Sequence, residues 1–284
     1  FFFVSLFRGA TYNALTMSWR AVVAYAVAFF VCRCWTLAEK PRFQVLVGVL
    51  IGPQERSRRN AIRESWMKFS NVCPPAKRAE NCSFIVKFVT GVTKNPARRK
   101  ALQEEASKYK DIVTLPIPDD KSDYWKNPKP YVWFKYAVQN YPQVPCVAKC
   151  DSDTFLETRS LEAQISRLNF HQYLYFGVGM AREDCGGKAR CPVLHSFVAG
   201  RMYVLSQNLA AWLTSDTNRR VKGMLRKWKW KNEDLLMGNY LHDGDVPVNA
   251  KYVSVPTSVV HPVKEADQQM HLYNSAMAGK LKQA

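Results

Sequence analysis

The sequence predicts an α/β domain over residues 43–284, a mostly parallel sheet with helices on both faces, preceded by an N-terminal membrane-anchor helix. Three observations predict it. Short apolar, β-branched runs of buried-strand character recur along the chain. They alternate with stretches of helical patterning, which implies parallel pairing. The 284 residues are 47% hydrophobic and 23% charged, ordinary globular composition that gives no reason to expect disorder.

The chain opens at Phe1, and Met17 is the expected start, which leaves residues 1–16 as an upstream segment. Ala21 to Cys32 is uncharged and follows Arg20, the form of a signal sequence or signal anchor. Those 12 residues span about 18 Å as a helix, short of the roughly 30 Å hydrocarbon layer. Extension to Ala38 gives about 27 Å if Arg33 snorkels, so residues 17–38 are read as the anchor and 39–42 as a short stem. A cleaved signal peptide stays open. Arg20 on one side faces Arg33, Lys40 and Arg42 on the other, so charge does not fix the orientation.

Phe43 to Ile51 reads as the first strand, followed by a polar turn and an amphipathic helix over Arg59–Trp66. Ser83–Thr90 is a second strand ending at Gly91, and Pro96 to Tyr109 is a charged helix. Asp111–Leu115 reads as the third strand. Four prolines mark Pro116 to Pro130 as a loop, after which Tyr131 to Gln139 is helical. Val144–Lys149 is the next strand. No repeat or low-complexity segment appears.

A formal charge of +18, from 41 Lys and Arg against 23 Asp and Glu, implies attraction to an anionic partner. Basic residues gather in Arg56–Arg63, Arg98–Lys100 and Arg219 to Lys231; each run is also compatible with a solvated face. Six of the eight cysteines fall in close pairs, Cys73 with Cys82, Cys146 with Cys150, and Cys185 with Cys191. No His follows at zinc-finger spacing. In an oxidising compartment the first and third pairs would be local disulfides; reduced thiols are the alternative. The sequon Asn81-Cys82-Ser83 fits a lumenal setting.

Directly after the fourth strand stand Lys149-Cys-Asp151-Ser152-Asp153-Thr-Phe155. An open α/β sheet places its ligands at the carboxyl ends of its strands. Two carboxylates two residues apart can approach one divalent ion and leave positions for diphosphate oxygens. An isolated Asp-x-Asp is more often an exposed acidic turn, so the rest of the chain must supply the context.

That context is an ordered series: Arg59-Asn-Ala-Ile-Arg63-Glu-Ser-Trp66, Phe88-Val-Thr-Gly91, Glu105 with Tyr109, Asp111 and Ile112, Lys149-x-Asp151-x-Asp153-x-Phe155, Gly200-Arg-Met-Tyr203-Val-Leu-Ser206, Glu233-Asp234-Leu-Leu-Met-Gly238, and His261. It resembles the inverting β1,3-glycosyltransferases, which include β1,3-galactosyltransferases, β1,3-N-acetylglucosaminyltransferases and Fringe proteins. The resemblance implies a GT-A-like fold for 43–284 and transfer of galactose or N-acetylglucosamine from UDP-galactose or UDP-GlcNAc to a glycan acceptor. It also implies a β1,3 linkage and a lumenal catalytic domain on a type II Golgi membrane protein. By resemblance Asp153 and His261 are the direct ligands of Mn²⁺, with Asp151 and Ser152 beside the nucleotide sugar and Asp151 near the metal. Asp234 is the general base. Arg59 or Arg63 approaches the nucleotide, a role for which Arg56 and Arg58 compete; Trp66 is core.

The chain departs from the family pattern in places. The middle carboxylate of the family's triple Asp is Ser152, and its Gly-rich turn is reduced to Gly200 with Arg201 and Met202. Of the pattern in Pro116 to Pro130 and beyond, only Asp123, Tyr124 and Lys135 remain. These departures leave open a catalytically inactive, membrane-tethered protein that binds carbohydrate or nucleotide sugar on the same fold. Lys227-Trp-Lys-Trp-Lys231 could form an acceptor platform beside Asp234 or bind single-stranded nucleic acid by stacking. Nucleic acid is not the expected partner, because it leaves the Asp-x-Asp and Glu-Asp unexplained. His195 reads as substrate-facing or core, and His171 and His242 as surface.

Overall fold

A computed structural model describes residues 44–75, 82–119, 129–177, 180–181, 197–227, 233–243, 251–254 and 259–281. The anchor at 17–38, the stem, Asn81, Asp123, Tyr124, Cys185, Cys191, His195, Trp228 and Trp230 lie outside them. Among the described residues no helix is long and apolar enough to cross a membrane.

The strands are β1 (Val45–Leu50), β2 (Phe84–Val92), β3 (Ile112–Pro118), β4 (Cys146–Asp151), β5 (Phe155–Leu156), β6 (Leu174–Gly177), β7 (Met180–Ala181), β8 (Phe197–Val198), β9 (Met202–Ser206), β10 (Lys251–Ser254) and β11 (Val259–Val260). The helices are α1 (Arg56–Glu64), α2 (Pro96–Tyr109), α3 (Lys129–Asn140), α4 (Thr158–Ile165), α5 (Gln207–Thr214), α6 (Arg219–Lys227), α7 (Glu233–Asp243) and α8 (Ala266–Met277). A seven-stranded sheet runs in the order β10-β6-β9-β4-β1-β2-β3. Four of its six neighbour pairs are parallel, and the two that flank β9 are antiparallel. Two short sheets, β5 with β11 and β7 with β8, stand outside it.

Helices cover both faces of this sheet. All six residues of β1 are buried, as a central strand covered on both sides requires. Val45, Val47 and Val49 join one core with Ile62 of α1, Leu161 of α4 and Ala276 of α8. Leu46 and Leu50 join the other, with Trp133 and Phe134 of α3 and Leu209 and Leu213 of α5. Gly48 of β1 lets α3 approach: an added Cβ would lie 2.2 Å from the Trp133 ring. The indole then donates to the Ala148 carbonyl at 3.0 Å.

The structure corrects the proline-rich loop predicted from Pro116. Strand β3 continues through Pro116 to Pro118. It is the last strand of the sheet, and an edge strand tolerates residues that donate no ladder hydrogen bond. Helix α1 begins at Arg56 rather than Arg59, and α3 at Lys129 rather than Tyr131.

Cys73 and Cys82 form a disulfide that ties the chain leaving α1 to the start of β2. Cys146 and Cys150 are buried free thiols in β4. Burial pushes both thiols well above the ordinary range, which keeps them protonated and inert. Replacing Cys73 and Cys82 together by Ala should lower unfolding free energy by about 2–3 kcal/mol, the loop-closure value for a bridge this short. Urea unfolding of the variant against the parent measures it; an unchanged midpoint would mean that the bridge adds nothing to stability.

Candidate active site

Strand β4 delivers Lys149 and Asp151 to the carboxyl edge of the sheet, beside the loop after β1. The turn that follows is pinned to the segment before β9. The Asp151 amide and the Thr154 hydroxyl both donate to the Arg201 carbonyl at 3.1 Å. Strand β5 then pairs antiparallel with β11, with Val260 opposite Phe155. One residue beyond the pair lies His261, and the Val263 amide donates to the Asp153 carbonyl at 2.7 Å. A register set by two-residue strands thus carries His261 to Asp153 across more than a hundred residues of chain.

One potential ligand atom from each of Asp151, Asp153 and His261 lies within 4.8 Å of the others. His261 Nε2 is 3.2 Å from Asp153 Oδ1. Two carboxylates and an imidazole form a mixed set dominated by oxygen, and carboxylate oxygens suit a hard divalent ion such as Mn²⁺. The residues present therefore fit the metal that the family resemblance implies.

Lys149 joins this cluster to a second pair of acids. Its side chain is 1% exposed, and Nζ lies 2.7 Å from Asp151 Oδ1 and 2.6 Å from Glu233 Oε1. It also donates to the Gly200 carbonyl. Burial alone would lower its pKa, but the charges of Glu233 and Asp151 outweigh that and hold the ammonium above the ordinary lysine range. Glu233 Oε2 accepts from the Tyr203 hydroxyl at 3.1 Å, and Asp234 Oδ2 accepts from the Gly200 amide at 3.0 Å. Both acids occupy the first turn of α7, where the helix dipole favours negative charge. The surroundings of Gly200 are tight: a Cβ there would lie 3.0 Å from Glu233 Oε1 and 3.2 Å from Lys149 Nζ, so those side chains would have to give by a few tenths of an ångström.

The arginines of α1 divide by face. Arg59 and Arg63 are one turn apart, and their guanidiniums point into a buried ion network. Arg59 donates to Glu105 at 2.9 and 2.7 Å and to the Gly52 and Pro53 carbonyls. Arg63 donates to Glu105 at 2.7 Å and to both Asp111 oxygens at 2.8 Å. Burial alone would raise the Glu105 carboxyl, but the two guanidiniums outweigh it and hold it below the usual range. Neither Arg59 nor Arg63 is brought to the acidic cluster; Arg59 props the loop that borders it. Arg58, about 100° further round the helix, reaches it instead. Its guanidinium donates to Ser152 Oγ at 3.2 Å and to the Lys264 carbonyl at 3.3 Å.

The structure therefore brings Asp151, Ser152, Asp153, His261 and Asp234 into one connected cluster, and adds Lys149, Glu233 and Arg58. The sequence showed Lys149 and Glu233 only as letters of a motif. A lysine flanked by two buried apolar strand neighbours was the available signal for a buried cation. His171 is exposed, and Trp66 is fully buried.

Residues 57–251 match the family model described as Galactosyltransferase. The chain belongs to the galactosyltransferase family. Relatives from Arabidopsis thaliana include hydroxyproline O-galactosyltransferase GALT2, 26% identical over 205 residues, which cover 69% of this chain and 28% of that protein. Probable beta-1,3-galactosyltransferase 4 is 24% identical over 73% of this chain and 52% of its own length. Probable beta-1,3-galactosyltransferase 13 is 26% identical over 69% of this chain and 57% of its own. The chain thus spans between 28% and 57% of these family members. Among solved structures, galactosyltransferase LgtC in complex with donor and acceptor sugar analogs overlays with a TM-score of 0.43 at 10% identity, covering 84% of this chain and 100% of that one. Glycosyltransferase GlyE of Streptococcus pneumoniae TIGR4 gives 0.41 at 10% identity, covering 75% and 45%. Family membership rests on the sequence match.

Proposed function

We propose that this chain is an inverting hexosyltransferase with a GT-A-like domain that moves galactose, or alternatively N-acetylglucosamine, from a UDP-sugar to a glycan hydroxyl. The linkage is β1,3, and the enzyme works in the Golgi lumen as a type II membrane protein anchored by residues 17–38. The observation that carries the reading is the contact path from Asp153 and His261 through Asp151 and Lys149 to Glu233 and Asp234.

Asp151, Asp153 and His261 hold Mn²⁺ in this reading. Bound there, the ion supplies Lewis-acid neutralisation of the charge on the departing diphosphate. Arg58 takes the role that the sequence offered to Arg59 or Arg63 and donates to the diphosphate beside Ser152. The Asp234 carboxylate accepts the proton of the acceptor hydroxyl. That oxygen bonds to the anomeric carbon from the face opposite UDP as the bond to the diphosphate oxygen breaks. A single displacement turns an α-linked donor into a β-linked product. The Gly200 amide orients Asp234, and Lys149 fixes Glu233 alongside it, so the base is positioned before the acceptor arrives.

The test is UDP release from UDP-galactose and UDP-GlcNAc by the purified lumenal part, with Mn²⁺ and with chelator. Asp153→Ala should weaken Mn²⁺-dependent UDP binding by at least about tenfold, as loss of a metal-site group does. Unchanged metal-dependent affinity would remove Asp153 from the ligand set. Tight UDP binding without turnover of any donor would favour the inactive, binding-only alternative.

A further inference from the structure

A cavity of about 700 Å³ lies between α5, the turn after it and the start of α6, with Tyr173 at the entry to β6. It is remote from the acidic cluster. Ser206, just before α5, pairs with Cys146 at the amino end of β4, whereas Asp151 stands at the carboxyl end. The six residues of β4 separate the two ends by roughly 17–20 Å.

Most hydrogen-bonding groups of its walls are already used within the protein. The Asn208 amide donates to the His171 carbonyl, and its oxygen accepts from the Leu209 amide. Asn218 donates to the Trp212 carbonyl and caps α6 by accepting from the Val221 amide at 3.1 Å. The Ser215 and Thr217 hydroxyls pair with each other at 2.8 Å. These bonds stiffen the walls and engage both asparagine side chains and both hydroxyls.

Among the described residues, three lining side chains keep hydrogen-bonding groups with no protein partner: the Tyr173 hydroxyl, the Trp212 indole N–H and the exposed Arg219 guanidinium. Trp and Arg can only donate. A ligand that matches them must offer acceptors, and the positive charge of Arg219 favours an anion. Arg220 adds a second guanidinium to the lining. The two aromatic rings supply flat, partly apolar surface of the kind that meets the C–H face of a sugar. We propose that this cavity is a second saccharide site, which takes a sugar ring bearing a carboxylate or sulfate group. It accounts for the start of the basic run from Arg219, and it does not depend on transferase activity.

The test titrates the purified protein calorimetrically with trigalacturonic acid, its neutral methyl ester, a sulfated galactose trisaccharide and a single-stranded oligonucleotide. An acidic saccharide should bind about tenfold or more tightly than the methyl ester, the worth of one charge-assisted contact. Arg219→Gln and Trp212→Ala should each weaken it about tenfold while UDP binding is unchanged. Arg219 is exposed, so its variant folds even if loss of the Trp212 ring disturbs α5. Absence of binding by both acidic saccharides, equal affinity for the methyl ester, indifference to Arg219→Gln, or preference for the oligonucleotide at these residues each overturns the proposal.

Discussion

Asp234→Asn is expected to lower sugar transfer by about 10²–10⁴-fold, the usual contribution of a positioned general base, with UDP and Mn²⁺ affinities unchanged. The substitution is nearly isosteric. An amide oxygen can still accept from the Gly200 amide, which holds Asp234 Oδ2 at 3.0 Å, so the start of α7 keeps its place. What disappears is a group able to take a proton at neutral pH. Initial rates with saturating donor, set beside UDP binding of the same preparation, separate chemistry from binding. Turnover within a few-fold of the parent would remove Asp234 from the mechanism.

Lys149→Met should both destabilise the fold, by about 3 kcal/mol, and slow transfer by about 10²-fold. Methionine fills a similar volume, so the loss is of charge. It leaves Asp151 and Glu233 facing each other without the ammonium that lies 2.7 and 2.6 Å from them. Those carboxylates are about one-third exposed, and solvent screening places the cost at the low end for a broken buried pair. The sign of the pH dependence follows from the raised lysine. Its stabilisation is complete below the unfolded lysine pKa of about 10.4 and is lost only as pH rises through the higher folded value. The lysine's own contribution to the gap between parent and variant should therefore not decline from neutral pH to about 9. A gap that closes across that range, or a variant with parental kcat, would contradict the role assigned to Lys149.

The sequence made the first half of the fold legible because each segment there buries a local pattern. The β-branched runs of β1, β2 and β4 and the intervening helices stand within a few residues of where periodicity put them. Misses arose where tertiary position overrides local signal. Proline at 116 and 118 reads as a loop until β3 is known to be the sheet edge. The antiparallel insertion of β9 beside β4 has no local signature, since direction depends on how the chain returns. The same limit governs the site. Asp151 and Asp153 are neighbours in sequence and were readable as a pair, whereas the partners of the α1 arginines lie more than forty residues away at Glu105 and Asp111. Without those partners, nothing distinguished Arg59 and Arg63, bound in the interior, from Arg58 at the cleft.

The two-residue pairing of β5 with β11 makes the segment after β10 part of the candidate site. A shortened form ending after β10 would retain every strand of the large sheet, both aspartates of the Asp-x-Asp and the acids of α7, yet it would lack the imidazole of His261. It would also lose α8, whose Ala276 packs with Val45, Val47 and Val49 in one core, so loss of the imidazole and loss of that packing arrive together in such a cut. Replacing His261 alone separates the two, because backbone pairing of its neighbours sets the register that places it.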